Sequence, residues 1–458
     1  MKKVALTLII LVALVLTACG GGAAQQTQTA PKATEAPKAA APAPAQPTSA
    51  PSGGQQPAAS ATGPGFFKKF DVEPNAQITF SGWGDEAEQA VWRDAIARFN
   101  KVYPDVKVTY QPVPADFQTK LKAQMAANQA PDTFYVDGEL MTAFGSTGKL
   151  LALDDYLGQA GLQKSDWLES LLPVFTNQGK LYAVPKDFGT LGLVYLPDMF
   201  TAAGVKEPTA DWTMDDLKNA AKQLTKGRVY GFCMAPDWAR FAPSLFQLGG
   251  DFTDANFTKA TFNSPEAVQA AQYWADMKLK DKSLASPSDV GSGWCGEAIA
   301  KQQVAMTWEG GWMIPFLAKD FKDVKYKIIP LPKGAKGVSD ILFTNGIGVN
   351  AATKFPKASA ALALYLGSRE NQEAILQTGF ALPSTKASLD HPWFKDHPNE
   401  AALAQMGKVG KLAYWGPQGA KVQDAVAKSL EKIWLGQSEV KPALDAGVEQ
   451  ANKDMAAK

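Results

Sequence analysis

The sequence predicts an α/β protein of two lobes, on three observations. A chain of 458 residues exceeds the usual size of one hydrophobic core. Between Gln77 and Gly138 the pattern runs strand, loop, helix, strand, helix, strand, which argues for a parallel or mostly parallel sheet with helices on its faces. Two later stretches, Lys180–Tyr195 and Ile341–Val349, read as extended passages between lobes. The composition is that of an ordinary globular chain, and 46 basic against 45 acidic residues give no electrostatic reason to expect a nucleic-acid partner.

The amino terminus has its own logic. Lys2 and Lys3 precede a short apolar run, Val4–Leu16. That run is too short for a comfortable transmembrane helix and the right size for an export signal. Leu16-Thr17-Ala18-Cys19 resembles a bacterial lipobox, which implies cleavage after residue 18 and lipidation of Cys19. An ordinary secretory signal with an incidental cysteine is the competing reading. Removing the leader takes the formal charge from +1 to −1. Gly20–Gly65 is almost all Ala, Pro, Gln, Thr, Ser and Gly, a composition with too little to bury to offset its ordering entropy. Residues 19–74 are therefore expected to be a lipidated, disordered tether, anchoring the protein to a membrane without spanning it.

The folded part opens with a strand at Gln77–Phe80, a loop through Trp83 and Asp85, and a helix with Val91, Ala95 and Phe99 on one face. Val106–Tyr110 alternates as a second strand, Phe117–Ala127 reads as a helix, and Thr133–Val136 as a third strand ending at Asp137. In such sheets ligands bind beyond the carboxyl ends of the strands, which is where Trp83, Asp85 and Asp137 fall. Further on, Thr213 and Ser264 are expected helix caps, the latter with Pro265 first inside. Tyr230–Cys233 reads as a strand, Lys357–Leu366 as a helix, and the tail from Gln418 as helical and largely surface-like. Val304–Thr307 reads as a short strand leading into Trp308-Glu309-Gly310-Gly311-Trp312. There the glycines permit close approach of backbone, and the indoles offer flat apolar walls with polar edges.

The chemistry available is narrow. The two histidines, His391 and His397, lie in a proline-rich surface stretch. No metal-binding or serine-elbow motif occurs, and no cofactor is implied. Cys233 and Cys295 remain after Cys19, and export permits them to pair. A bridge would close a loop of roughly sixty residues and contribute about 4 kcal/mol; two separate buried thiols are the alternative. Glycoside hydrolysis needs only two placed carboxylates, and Asp85, Asp137, Asp187 and Glu309 are candidates for such a pair. The same groups accept hydrogen bonds from sugar hydroxyls while tryptophans cover sugar faces, and export with a tether favours capture over turnover.

The ordered set Ile78–Trp83, Pro131–Asp137, Gly179–Pro185, Leu193–Tyr195, Phe262–Ala267, Ala305–Trp312 and Gly346–Val349 resembles the extracellular solute-binding proteins of ATP-driven importers. The likeness is to the large carbohydrate-binding family that includes maltose-binding protein, and it spans about residues 75–435. It implies a periplasmic-binding-protein-like fold with a ligand cleft between lobes. Lobe one would comprise 75–185 and 345–383, and lobe two 186–344 and 384–458. The hinge crossings would lie near Pro185–Lys186 and Thr344–Gly346, where a small change produces a large closure. The expected function is capture of a sugar or oligosaccharide and its delivery to a membrane permease by an extracytoplasmic, lipid-anchored monomer that is not an enzyme.

By motif position, the resemblance puts Trp83, Asp85 and Asp137 on the lobe-one wall and Trp308, Glu309, Gly310 and Trp312 on the lobe-two wall. Trp312 is the expected stacking residue and Asp137 the expected hydroxyl acceptor. Asp187, Trp238, Asn345 and Trp415 are secondary candidates. Their competing readings are a hinge ion pair, lobe-two core, a strand-end turn and C-terminal packing, and for Asp137 a helix cap. The chain departs from the family at Leu196, where asparagine is common, and at Glu309, again in place of asparagine. A glutamate accepts but cannot donate, so a polyamine or other cationic ligand is an alternative. An exported glycoside hydrolase and a purely structural surface lipoprotein are the others.

Overall fold

The structure is a computed structural model describing residues 63–84 and 86–457. The leader, Cys19, most of the expected tether and Asp85 lie outside the described residues. From Phe66 onward the chain is packed, which shortens the expected tether. Phe67, Phe70 and Val72 lie against the lobe-one core. The Phe67 amide donates to Glu370 (2.8 Å), and Tyr103 Oη both donates to and accepts from the Phe70 backbone. The physical reason is in the sequence: these side chains offer the burial that the Ala/Pro run lacks.

Lobe one begins with β1 (Gln77–Ser81), α1 (Glu86–Val102), β2 (Lys107–Tyr110), α2 (Phe117–Ala126), β3 (Thr133–Val136), α3 (Gly138–Phe144) and β4 (Ala183–Pro185). Trp92, Ala95 and Phe99 of α1 are buried against the sheet, as are Phe117, Leu121 and Met125 of α2. The chain then builds lobe two from β5 (Leu191–Tyr195), α4 (Met214–Leu224), β6 (Tyr230–Cys233), α5 (Trp238–Phe246) and α6 (Pro265–Ala275). It continues through β7 (Leu284–Ala285), α7 (Cys295–Ala300), β8 (Val304–Gly310), α8 (Met313–Asp320), β9 (Lys327–Ile329) and β10 (Asp340–Leu342). It returns to lobe one for β11 (Gly346–Val349), α9 (Pro356–Leu366) and α10 (Arg369–Leu376). It finishes in lobe two with α11 (Pro398–Met406), β12 (Gly410–Leu412), α12 (Gly419–Trp434) and α13 (Val440–Ala456).

Two five-stranded sheets result, β2-β1-β3-β11-β4 and β9-β5-β8-β6-β7. Both are mixed. β1 is parallel to β2 and β3, but the returning β11 runs antiparallel to β3 and β4. In lobe two β8 is parallel to β6 and antiparallel to β5. The caps expected at Thr213 and Ser264 are present, and Thr213 also forms a capping box with Asp216. The tail differs from expectation: α12 and α13 bury Val422, Val426, Leu430, Ile433 and Leu444 in the lobe-two core. Cys233, at the end of β6, is bridged to Cys295, at the start of α7, with Cα atoms 5.6 Å apart.

The crossings bundle together. Segments 186–190 and 342–345 run antiparallel: Lys186 N donates to Asn345 O (2.9 Å), and Gly189 and Phe343 exchange both backbone bonds. A third passage joins them. Gln372 Nε2 and Ser384 Oγ both donate to Pro185 O, and Phe188 N donates to Leu382 O. Ser384 O then accepts from Leu168 N, and Lys386 pairs with Glu169. A third apolar cluster, which packs the lobe-two sheet through Val194, Val304 and Ile328, also takes in Leu168, Leu171, Phe188, Leu382, Leu342 and Leu403.

Candidate functional site

The lobe-two wall grows from the end of β8. Gly310 carries no side chain because a Cβ there would meet the Trp312 ring at 2.4 Å and the Thr190 carbonyl at 2.7 Å. The glycine lets the indole fold back over its own strand. Trp312 is 41% exposed, unusual for so large an apolar side chain. Its Nε1 donates to Glu309 Oε2 (2.9 Å), and Arg240 Nη2 donates to the same oxygen (2.6 Å). Arg240 sits 5.7 Å from the Trp312 ring centroid and also pairs with Asp237 at 3.4 Å. Asp237 caps α5 by accepting from Arg240 N. Glu309 is only 2% exposed. Burial pushes its carboxyl above the ordinary range, and the Arg240 charge offsets that only in part. Arg240 is held charged by Glu309 and Asp237 against the cost of burial. From Trp312 the aromatic contacts continue through Phe343 (6.0 Å between centroids) to Trp238 (6.3 Å) and from there to Trp415 (5.5 Å), which is itself buried in the lobe-two core, its competing reading. Trp415 is anchored by its Nε1 donating to Asp251 Oδ1 (2.8 Å).

The lobe-one wall is built on Tyr135, in the middle strand of its sheet. Trp83 packs edge-on to Tyr135 (4.9 Å) and Phe117 (5.2 Å). Tyr135 Oη donates to Glu88 Oε1 (2.8 Å), which also accepts from Lys186 Nζ at 3.4 Å. Lys186 Nζ lies 2.5 Å from Asp187 Oδ2 and 4.9 Å from the Tyr135 ring centroid. Burial works against the ammonium, but Asp187 and Glu88 outweigh it and hold Lys186 above its ordinary pKa. Burial raises the Asp187 carboxyl despite the lysine. Thr344 Oγ1 donates to Asp187 O (2.7 Å), and Gly189 lies against both Phe343 and Trp312. The two walls thus meet at the crossings. At another point the lobes touch where Tyr414 covers Gly138.

The sequence-predicted residues fall into three groups. Trp238, Glu309, Gly310, Trp312 and Trp415 are brought together on lobe two, with Asp187 and Asn345 at the crossings and Trp83 on lobe one. Glu309 does not present its carboxylate to the surface; Arg240 and Trp312 occupy it. Asp137 takes its competing reading: its side chain caps α3 through Leu140 N (2.8 Å) and accepts from Gln118 Nε2 (2.9 Å). Asp187 is likewise an ion-pair member. Trp308 is a correction. It is fully buried in the lobe-two core, edge-on to Trp274 and Phe232. The reason is that β8 does not end at Thr307 but runs on to Gly310, with Trp308 in register with Leu193 of β5.

Sequence reasoning missed Arg240, Glu88, Lys186, Tyr135 and Phe343. For Arg240 a signal existed in Asp237-Trp238-Ala239-Arg240, a cap followed three residues later by an oppositely charged partner. Its pairing with Glu309 joins distant parts of the chain and has no local signature. Among the described residues no group of His, Cys, Asp and Glu is arranged to hold a metal ion.

The sequence model described as bacterial extracellular solute-binding protein matches residues 83–373. The chain belongs to this family. It is 26% identical over 302 residues to the diacetylchitobiose binding protein DasA of Streptomyces coelicolor, covering 63% of this chain and 68% of that one. Among solved structures it resembles an ABC substrate-binding protein from Listeria monocytogenes in complex with cycloalternan (TM-score 0.73, 26% identity, 84% of this chain and 100% of that one). It also resembles the GacH receptor of Streptomyces glaucescens, solved unliganded and with acarbose and an acarbose homolog (TM-score 0.71, 26% identity, 84% and 100%). The two-lobed architecture of solute-binding proteins is therefore the architecture of this chain.

Proposed function

We propose that this protein captures a sugar or oligosaccharide between its lobes and delivers it to the membrane permease of an ATP-driven importer. The observation that carries the reading is Trp312. An exposed indole is locked by a buried carboxylate and set beside Phe343 and Arg240 at the junction of the lobes. A fixed aromatic face covers the apolar side of a pyranose, and the neighbouring charged groups serve hydroxyls. The relatives' carbohydrate ligands support the same class. Trp312 would stack, with Arg240, Trp238 and Trp83 as further contacts and Asp137, Asp187, Asn345 and Trp415 as supports around them.

The polyamine reading loses its motive, because the charge of Glu309 is already met by Arg240. Hydrolysis is disfavoured because Asp137, Asp187 and Glu309 each hold a protein partner. Cys19 would carry the lipid that keeps the protein outside the cytoplasm at a membrane. Among the described residues no helix is long and apolar enough to cross one. Calorimetry with a panel of oligosaccharides tests the function: one or more should bind and be recovered intact. Cleaved product, or binding indifferent to Trp312→Ala, would sink it. For the anchor, Cys19→Ser in the full chain should release the protein from the membrane fraction.

A further inference from the structure

Among the described residues two aromatic side chains stand out as exposed: Trp312 on the lobe-two wall, and Phe257, which is 37% exposed. Phe257 lies near the tip of a hairpin in which Thr253 pairs with Ala260 and Asp254 N donates to Lys259 O. The Phe257 amide donates to Asp254 O (3.1 Å), which closes a tight turn. Asp254 Oδ1 accepts from the amides of Thr258 and Lys259 and fixes that turn. The result is a φ of +55° at Phe257, in the left-handed region. Glycine or asparagine takes such a position readily, whereas a bulky side chain there is strained. Asn256 stands one place earlier, yet the ring occupies the strained position. Strain of this kind gathers where a side chain serves a ligand or a critical contact.

The surroundings of the ring narrow the choice. Phe257 lies edge-on to Tyr414, with centroids 5.5 Å apart. It fits there because residue 416 is a glycine, whose Cβ would otherwise stand 2.5 Å from the Phe257 Cβ. Tyr414 in turn reaches lobe one: a Cβ on Gly138 would lie 3.2 Å from its ring. Gly138 follows Asp137 at the carboxyl end of β3, the end beyond which such sheets bind ligands. In the other direction Tyr414 is followed by the buried Trp415, whose ring contacts Trp238, and Trp238 leads through Phe343 to Trp312. The two exposed aromatics therefore stand at opposite ends of one run of aromatic side chains along the junction of the lobes.

We propose that Phe257 is a second stacking platform of the cleft, and that the ligand is a linear oligosaccharide long enough to reach from Trp312 to Phe257. This rests on the sugar reading above and sharpens it to a chain length: each exposed ring covers a pyranose face near one end of the ligand.

Calorimetry on the full chain tests this with linear oligomers of one to six units in three series, built from glucose, N-acetylglucosamine and galactose. In a series that binds, affinity should rise with length until the ligand reaches Phe257. Phe257→Asn removes the ring and suits the left-handed backbone, so it should fold and melt no lower than the parent. It should weaken the five- and six-unit members at least about fivefold and leave the shortest members that bind within about twofold. Phe257→Tyr should restore the long-chain affinity, and Trp312→Ala should weaken every length. An equal loss at all lengths in Phe257→Asn, or no loss, would make Phe257 only a prop for Tyr414 and overturn the proposal while leaving the sugar reading in place. Absence of binding in all three series would count against that reading and take the proposal with it.

Discussion

The two walls use one device for two ends. On lobe one Lys186 lies between Glu88 and Asp187 against the Tyr135 ring; on lobe two Arg240 lies between Glu309 and Asp237 against the Trp312 ring. In both, a cation held by two carboxylates fixes an aromatic. The difference is exposure: Tyr135 is fully buried, whereas Trp312 is 41% exposed. The lobe-one cluster stiffens the crossing where the chain leaves β4. The lobe-two cluster holds a surface ready. A buried ion pair adds little net stability, but losing one partner is severe. The two clusters should therefore fail in different ways.

The largest expected effect is on the lobe-one side. Lys186→Met removes the buried cation that Asp187 and Glu88 share and should cost about 3 kcal/mol in chemical denaturation. A loss below about 1 kcal/mol would mean that the cluster is already solvated. Next, Trp312→Ala should lower sugar affinity at least ~10-fold, about 1.4 kcal/mol, with less than about 1 kcal/mol lost in stability. Trp308→Phe should do the reverse, costing about 1 kcal/mol in stability through a core gap while leaving affinity within ~2-fold; a large loss of affinity would return Trp308 to the cleft.

The smallest effect is a pH dependence at Glu309. Burial raises its folded pKa above the ordinary value, so the folded state binds the proton more tightly than the unfolded chain does. Stability from this group is then greatest in acid and declines as pH rises from the unfolded value through the folded one. Thermal melts of Glu309→Gln should lack that decline, whereas the same slope in both proteins would assign it to other groups.

Most of the fold was legible because it is written locally. The caps at Thr213 and Ser264, the buried faces of α1 and α2, and the glycine loop carrying Trp312 each announce themselves within a few residues. What was hidden depends on partners far along the chain. Trp308 looked like part of a loop, and only the flanking β5, paired with β8 as far as Gly310, extends the strand through it. Arg240 and Glu309 meet across 69 positions. The antiparallel β11 could not be foreseen from the strand–helix alternation before it, because it arrives from the other lobe. The tail helices looked superficial because their apolar residues are spaced among many polar ones, and the lobe-two core they join, built from distant parts of the chain, is what buries them.

The packed stretch after Phe66 has a mechanical consequence. Lys68 N bonds Ala160 O, the Phe67 amide bonds Glu370, and Glu73 accepts from the first amides of α9 at Lys357 and Ala358. All of these partners belong to lobe one. A pull on the chain from the amino-terminal side of Phe66 is therefore borne by lobe one alone, and none of these bonds transmits it to lobe two.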